Sequence, residues 1–394
     1  LIKYKGHFYN WYDTVSKEPL YPRYISTVDS GNLVGYLWVV EEALEEYKND
    51  TIVNKKKIDG LCDVLELCNE EIELASGIKE IYSPIISDIR EVDLDIINWR
   101  NLLTNIRNKA LEVDKIDGCR NLYWNNKLKG SVNKYLGEIQ RIFPWVDIFI
   151  QNISSMDTKE EDFKKIPTNT KLSELNNKIE EVISGTHINQ VWWEEFKLLF
   201  NNGKEEVNKI INKIGRVKDN LHSMAENTDF SILYNKSRNL FAIGYDIERD
   251  ELGNSYYDLL ASESRQASFI AVAKGDVEQR HWFSLGRAMT LMDSGKGLVS
   301  WSGTMFEYYM PLLIMRNYPD TLLNETYREV IGVQQRYGRK RGVPWGISES
   351  AFYTFDIAKN YQYKAFGVPS IGLKRGLANE LVVSPYSTVM GLQI

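Results

Sequence analysis

Apolar and polar positions change their rhythm twice along the chain. Residues 1 to about 45 mix aromatic with turn-forming residues ("GHFYNWYDTVSKEPLYPRYISTVDSGNLVGYLWVV"), and the stretch after Asp29 reads as the start of a helix. From about 46 to 232 Gly and Pro become scarce, and apolar residues recur at three- and four-residue spacing among Lys, Glu and Asn, as in "VNKIINKIGRVKDNL". That period puts one apolar stripe on each helix and leaves the opposite face to water, so the region predicts a set of amphipathic helices. Charge runs such as "KEEDFKK" are then solvated faces.

Beyond about 233 short apolar stretches alternate with small residues, and the punctuation is explicit. "NLFAIGYDIERDELGNS" predicts a hairpin or an extended turn. Ser255 with Asp258 forms a capping box before "YYDLLASESRQASFIAVAKG", a helix that Gly275 should end. Thr304 with Glu307 caps "MFEYYMPLLIM", Asp320 caps "TLLNETYREVIGVQQRYG", Pro369 opens "SIGLKR", and Ser384-Pro385 opens the last helix. Three glutamates, Glu263, Glu307 and Glu349, stand singly in apolar or aromatic surroundings, 44 and 42 residues apart. A helix, a turn, a second helix and a return take about forty residues. This near-period would bring three similar positions to one mouth of a ring of helical hairpins, an all-α toroid. On these textures the chain divides into residues 1–45, the start of a barrel domain; 46–232, helices that are partly an insertion; and 233–394, the main catalytic part of the barrel.

Composition narrows the function. Of 394 residues 43% are hydrophobic, ample for a core, and 12% are aromatic, with 10 Trp and 23 Tyr. Planar side chains with a polar edge suit the stacking of sugar rings, and they equally suit a tyrosine-rich core. A formal net charge of −6 excludes a nucleic-acid partner, which needs clustered Lys and Arg. The odd set Cys62, Cys68 and Cys119 lacks metal-ligand or redox spacing and predicts free thiols in a reducing compartment. No apolar run approaches about 18 residues, so no membrane span is expected in this chain. Both ends lie in what reads as structured sequence, which gives the expectation of a domain from a longer, membrane-bound protein.

Glycosidic bonds are exchanged or hydrolysed between two carboxyl groups, one delivering a proton and the other attacking or activating an acceptor. The acid must stay protonated near neutral pH, which an apolar, desolvated site favours. Glu263 in "LLASESRQASF" and Glu349 in "PWGISESAF" have such surroundings. Arg265 beside Glu263 either favours its charged form or binds substrate hydroxyls. Glu307 fits N3 of its capping box, so a structural role stands beside a functional one. Glu263, read as lying inside a helix, has pairing with a basic residue as its alternative, and Glu349 fits a helix first turn. Other chemistries fit worse. His7, His187, His222 and His281 are scattered with no pair at ligand spacing, so no metal is expected. "GISES" has Ser350 where a nucleophile elbow needs glycine. No nucleotide-binding glycine motif occurs, and no cofactor is expected. "DIERDELG" has Glu251 where a calcium loop turns on glycine.

Eight ordered strings, "GHFYNWYDT", "RYISTVDSGNL", "NSYYDLLASESRQASFIAVAKGD", "HWFSLGR", "SWSGTMFEYYMPLLIM", "GVPWGISES", "YQYKAFGVPSIGLKRGL" and "VVSPYSTVMGL", closely resemble the glycoamylase-like domain of bacterial cyclic β-1,2-glucan synthases. The match covers the start of the chain and residues from about 230 to 394, and is weak between. The resemblance implies an (α/α)6-barrel with an additional helical insertion, and anomer-retaining transglycosylation that closes linear β-1,2-glucan into a ring. It implies Glu349 as nucleophile, Glu263 as acid/base and Glu307 as a third carboxylate of the cleft that holds a sugar. Trp301 and Trp345 are the aromatic walls expected to exclude water, and Asp29, Asn32, Tyr245, Arg265, Tyr361 and Tyr363 are candidates for contacts with sugar hydroxyls. The implied partners are the glycosyltransferase and phosphorylase-like domains of a full-length synthase at the cytoplasmic side of the inner membrane. Two alternatives stay open: an endo-β-1,2-glucanase of the same fold, and a non-catalytic glucan-holding module.

Overall fold

The computed structural model of the chain describes residues 1–91, 95–152, 171–184, 191–292, 295–350 and 364–394. The run "KEEDFKK", His187, Tyr361 and Tyr363 lie outside the described residues. Two compact units are present, one built from Leu1–Glu41 with Asp219–Ile394 and one from Glu42–Lys218. Their boundaries fall within two helices, Thr27–Asn49 (α1) and a long one at Val191–Glu226.

The second unit is helical, as the spacing over 46–232 predicts. Its helices are Lys55–Ser76 (α2), Ser83–Glu91 (α3), Ile96–Val113 (α4), Tyr123–Ile142 (α5), Val146–Asn152 (α6), Leu175–Ser184 (α7) and most of Val191–Glu226 (α8). Asn54 caps α2 by accepting the Lys57 N–H at 3.0 Å, and Gly77 ends it in the left-handed region. Apolar stripes from α2, α4, α5 and α8 meet in a core that includes Leu65, Ile72, Leu103, Ile106, Leu128, Val132 and Phe196. Asn125 is buried there, with the Tyr82 hydroxyl donating to it at 2.8 Å while its amide donates to Ala110 O and Asp114 Oδ1, both at 3.0 Å. Full pairing is what lets a polar group stay in a core. Cys62, Cys68 and Cys119 are free and buried, as expected, and burial pushes the Cys68 thiol up to about 12.

The expectation of an all-α chain needs correction in the first unit. Its described residues include ten strands of two or three residues: Lys3–Tyr4 (β1), His7–Phe8 (β2), Tyr24–Ser26 (β3), Tyr234–Asn235 (β4), Leu240–Ala242 (β5), Gly244–Asp246 (β6), Glu251–Leu252 (β7), Tyr256–Tyr257 (β8), Met289–Leu291 (β9) and Lys296–Leu298 (β10). β3, β6 and β7 form one antiparallel sheet and β4, β5 and β8 another, with Phe241 opposite Tyr257. β6 and β7 make the hairpin that "NLFAIGYDIERDELGNS" predicts. Such short strands persist because their apolar side chains, Ile25 and Phe241 among them, enter a core shared with helices.

The helices of this unit, besides the start of α1 and the end of α8, are Arg265–Lys274 (α9), Arg280–Ser284 (α10), Met305–Tyr309 (α11), Leu322–Arg341 (α12) and Pro385–Met390 (α13). Gly275 ends α9 with φ 81°, as predicted, but α9 begins nine residues later than the Ser255 box implies. Tyr256 and Tyr257 are taken up by β8, and the Ser262 hydroxyl accepts the Ser264 N–H at 3.2 Å. Such local side-chain bonds compete with the first helical turn. Thr321, not Asp320, caps α12, accepting the Asn324 N–H at 3.2 Å, while Asp320 adopts a positive φ. Pro369 opens no helix. The residues after it pair instead with Ser300, whose N–H donates to Ile371 O at 3.1 Å.

Candidate active site

Glu307 shows how the site is organised. β10 runs into the loop Val299–Thr304, which turns at Gly303 (φ 74°), where an added Cβ would stand 2.7 Å from Val368 O. The loop wraps the Glu307 carboxylate at the start of α11. Ser300 Oγ donates to it at 2.6 Å, and the N–H groups of Ser302, Gly303 and Thr304 donate at 3.0, 2.9 and 3.2 Å. The Thr304/Glu307 capping box of the sequence is present. Four donors at the start of a helix fix the position of this carboxylate. Glu307 is thus an anchor of the loop.

Glu263 lies in the turn between β8 and α9, and not inside the helix as its sequence context suggested. Arg265 fixes this turn from behind. Fully buried, its guanidinium donates to Leu260 O at 3.2 Å, Tyr308 O at 3.4 Å and the Tyr327 hydroxyl at 2.9 Å. Glu263 and Glu307 line one cavity of about 360 Å³ together with Tyr257, Asp258, Ser262 and Trp301. Burial, then the negative charges of Glu307 and Glu349, push the Glu263 carboxyl up to about 7, against a 3.1 Å hydrogen bond from Ser262 Oγ. Near neutral pH this group carries a proton it can give away.

Glu349 follows a tightly held strap. Gly346 has φ 107°, and a Cβ there would meet Ser387 Oγ at 2.6 Å. Buried Gln334 of α12 accepts the Ile347 N–H at 2.9 Å and donates to Gly303 O at 3.0 Å, tying this strap to the loop around Glu307. Ser348 Oγ accepts the Phe306 N–H at 3.0 Å, and the Glu349 carbonyl accepts from Ser384 Oγ and the Tyr386 hydroxyl at 3.0 and 2.9 Å. The side chain is exposed, yet protein on one side and the Glu307 charge push its carboxyl pKa up, while Lys374 pulls it down. Three carboxylates thus act on one another, with one tied, one raised to near neutrality and one beside a lysine.

The Glycoamylase family matches residues 255–394, the segment that carries all three glutamates. Over 398 aligned residues the chain is 32% identical to the cyclic beta-(1,2)-glucan synthase NdvB of Rhizobium meliloti (strain 1021). The chain is similar to one segment of that synthase. The aligned part takes in 98% of this chain and only 12% of NdvB, so it corresponds to a small part of a much longer protein. Among the described residues no helix is long and apolar enough to cross a membrane.

The other residues singled out in the sequence are placed as follows. Trp301 lines the cavity and is 56% exposed, an open face at its rim. Trp345 packs against the core of Met305, Ile347 and Met390. Tyr245 lies in β6, stacked on Tyr4 and donating to Asp250 Oδ1 at 2.6 Å. Asp29 borders a separate hollow of about 110 Å³ with His7, Tyr9 and Asn10, and Asn32 has a buried Oδ1 without a hydrogen-bond partner. Gln334 and Tyr257 were not singled out in the sequence, and Asp258 and Ser384 only as capping residues. Gln334 looks like any polar residue of a helix, Tyr257 acquires its place through pairing with Phe241 of β5, and Asp258 O accepts the Gly286 N–H at 2.6 Å.

The Glu307 anchor gives a direct expectation. Glu307→Ala leaves the buried N–H groups of Ser302 and Thr304 and the Ser300 hydroxyl without their acceptor, at about 1–3 kcal/mol each before relaxation, while the Gly303 N–H keeps Ser300 Oγ at 2.9 Å. A loss of at least about 3 kcal/mol in denaturant unfolding is expected. An unchanged midpoint would show that the loop does not depend on this carboxylate.

Proposed function

We propose that the chain is an anomer-retaining transglycosylase that closes linear β-1,2-glucan into cyclic β-1,2-glucan. The observation that carries this reading is the unequal state of two carboxyls. Glu263, on the cavity wall, is shifted up to about 7, whereas the upward shift of Glu349 is opposed by Lys374. In this reading Glu349 attacks the anomeric carbon while Glu263 passes its proton to the leaving glycosidic oxygen. The non-reducing-end hydroxyl of the same chain then displaces Glu349 and returns a proton to Glu263. One glycosidic bond is broken and one is formed, with no net uptake of water. Trp301 would stack a glucosyl ring at the rim and narrow access for water. Kinship with a segment of a synthase whose name specifies cyclic β-(1,2)-glucan supports the substrate class.

The reading takes the unit holding the three glutamates as an (α/α)6-barrel, with the helices of 42–218 as an insertion in its sequence. It places the chain within a larger synthase at the cytoplasmic side of the inner membrane, beside glycosyltransferase and phosphorylase-like domains. Asp29, Asn32 and the two tyrosines at 361 and 363 remain proposed sugar contacts.

The test is to trap the intermediate. Glu263→Gln slows breakdown of a glycosyl-enzyme, and a β-1,2-glucosyl fluoride forms one without an acid, so intact-mass measurement after mixing with that donor should find a glucan adduct on the peptide containing Glu349. No adduct, together with inverted product anomers by NMR, would contradict the retaining mechanism.

A further inference from the structure

One hydroxyl on the cavity wall is left without a task by the mechanism above. Tyr257 is held in β8 by its pairing with Phe241 of β5, and its side chain lines the cavity beside Ser262, Glu263 and Trp301. Tyr256 and Tyr308 of the same unit have their hydroxyls engaged: Asn235 Nδ2 donates to Tyr256 at 3.0 Å, and Tyr308 donates to Leu298 O at 2.9 Å. Among the described residues Tyr257 Oη has no hydrogen-bond partner; burial and the electrostatics of Glu263, Asp29, Tyr24 and Glu349 act on it. Burial and those negative charges push its pKa up, so it is a neutral phenol, and a donor, at every working pH. Lining the cavity with no protein acceptor, this hydroxyl is free to donate to a ligand there.

We propose that Tyr257 contacts the substrate, its hydroxyl donating a hydrogen bond to a hydroxyl of the glucosyl ring whose glycosidic oxygen Glu263 protonates. The inference rests on the functional reading above and deepens it by naming what orients that ring. The phenol is rigid and its base is fixed in a sheet, so the donor has one direction. A flexible sugar chain offers many ring orientations, and selecting one brings the glycosidic oxygen to Glu263. Glu263 and Tyr257 then divide the work, one moving the proton and the other holding the ring.

Tyr257→Phe deletes one oxygen and leaves the packing. With linear β-1,2-glucan, kcat/KM should fall about tenfold, the scale of one lost hydrogen bond to a bound sugar. The limb of the pH profile near 7, set by Glu263, should stay in place, and the melting temperature should not fall. Unchanged kcat/KM would overturn the proposal. So would a displaced limb, because Tyr257 would then act on Glu263 and not on the sugar. A wild-type protein that neither turns over linear β-1,2-glucan nor binds it in calorimetric titration would instead remove the functional reading on which the proposal stands.

Discussion

Glu349→Gln is expected to reduce turnover of linear β-1,2-glucan by on the order of 10⁴-fold or more, the scale on which losing the nucleophile of a covalent mechanism is felt. Glutamine keeps the size of the side chain but cannot form the glycosyl ester. The strap that carries it should be undisturbed, because Gln334, Ser384 and Tyr386 bond to backbone atoms and not to the Glu349 carboxylate. Folding should therefore be that of the wild type, and binding of the glucan should persist. Steady-state assays with calorimetric titration separate the two. Lost binding would make Glu349 a residue of substrate recognition, and retained turnover would remove it from the chemistry.

Glu263→Gln should cost about 10²–10⁴-fold, the usual contribution of a positioned acid/base group. Its second signature is in pH. The productive form of Glu263 is protonated, so wild-type kcat/KM should fall as pH rises through about 7, and that limb should vanish in the variant. Stability should fall with rising pH in the same sense. The folded-state pKa lies above the ordinary carboxyl value, so the folded protein holds its proton longer than the unfolded chain. This contribution to stability is fully present below the unfolded value and is lost as pH rises through about 7. Removing the ionisable group should thus raise the melting temperature relative to wild type at pH 8, with little difference near pH 4.5. Equal melting curves at both pH values would mean that Glu263 is not desolvated.

The parts of the molecule that local chemistry dictates were readable in the sequence. The Thr304/Glu307 box, the end of α9 at Gly275, the β6–β7 hairpin and the Pro385 start of α13 each depend on residues a few positions apart. The starts of α9 and α12 were misplaced where short-range hydrogen bonds of serine and threonine side chains decided between turn and helix. Pro369 opens a turn because its successors pair with Ser300, a partner about seventy residues away, and no local pattern reports that. The candidate site divides along the same line. The single glutamates in apolar surroundings drew attention to Glu263, Glu307 and Glu349, but sequence could not tell the tied carboxylate from the free ones. That distinction comes from four donors that reach Glu307 and from the fields that reach Glu263. Arg265, chosen as a sugar ligand for its charge, spends that charge on Leu260, Tyr308 and Tyr327 in the core.

The most direct measurement is mass spectrometry of the products formed from linear β-1,2-glucan by the purified chain, with Glu349→Gln as control. Cyclisation predicts products lighter by one water than linear glucans of the same length, absent from the control. Linear fragments alone would make the chain a hydrolase, and unaltered substrate would contradict catalysis by this chain on its own.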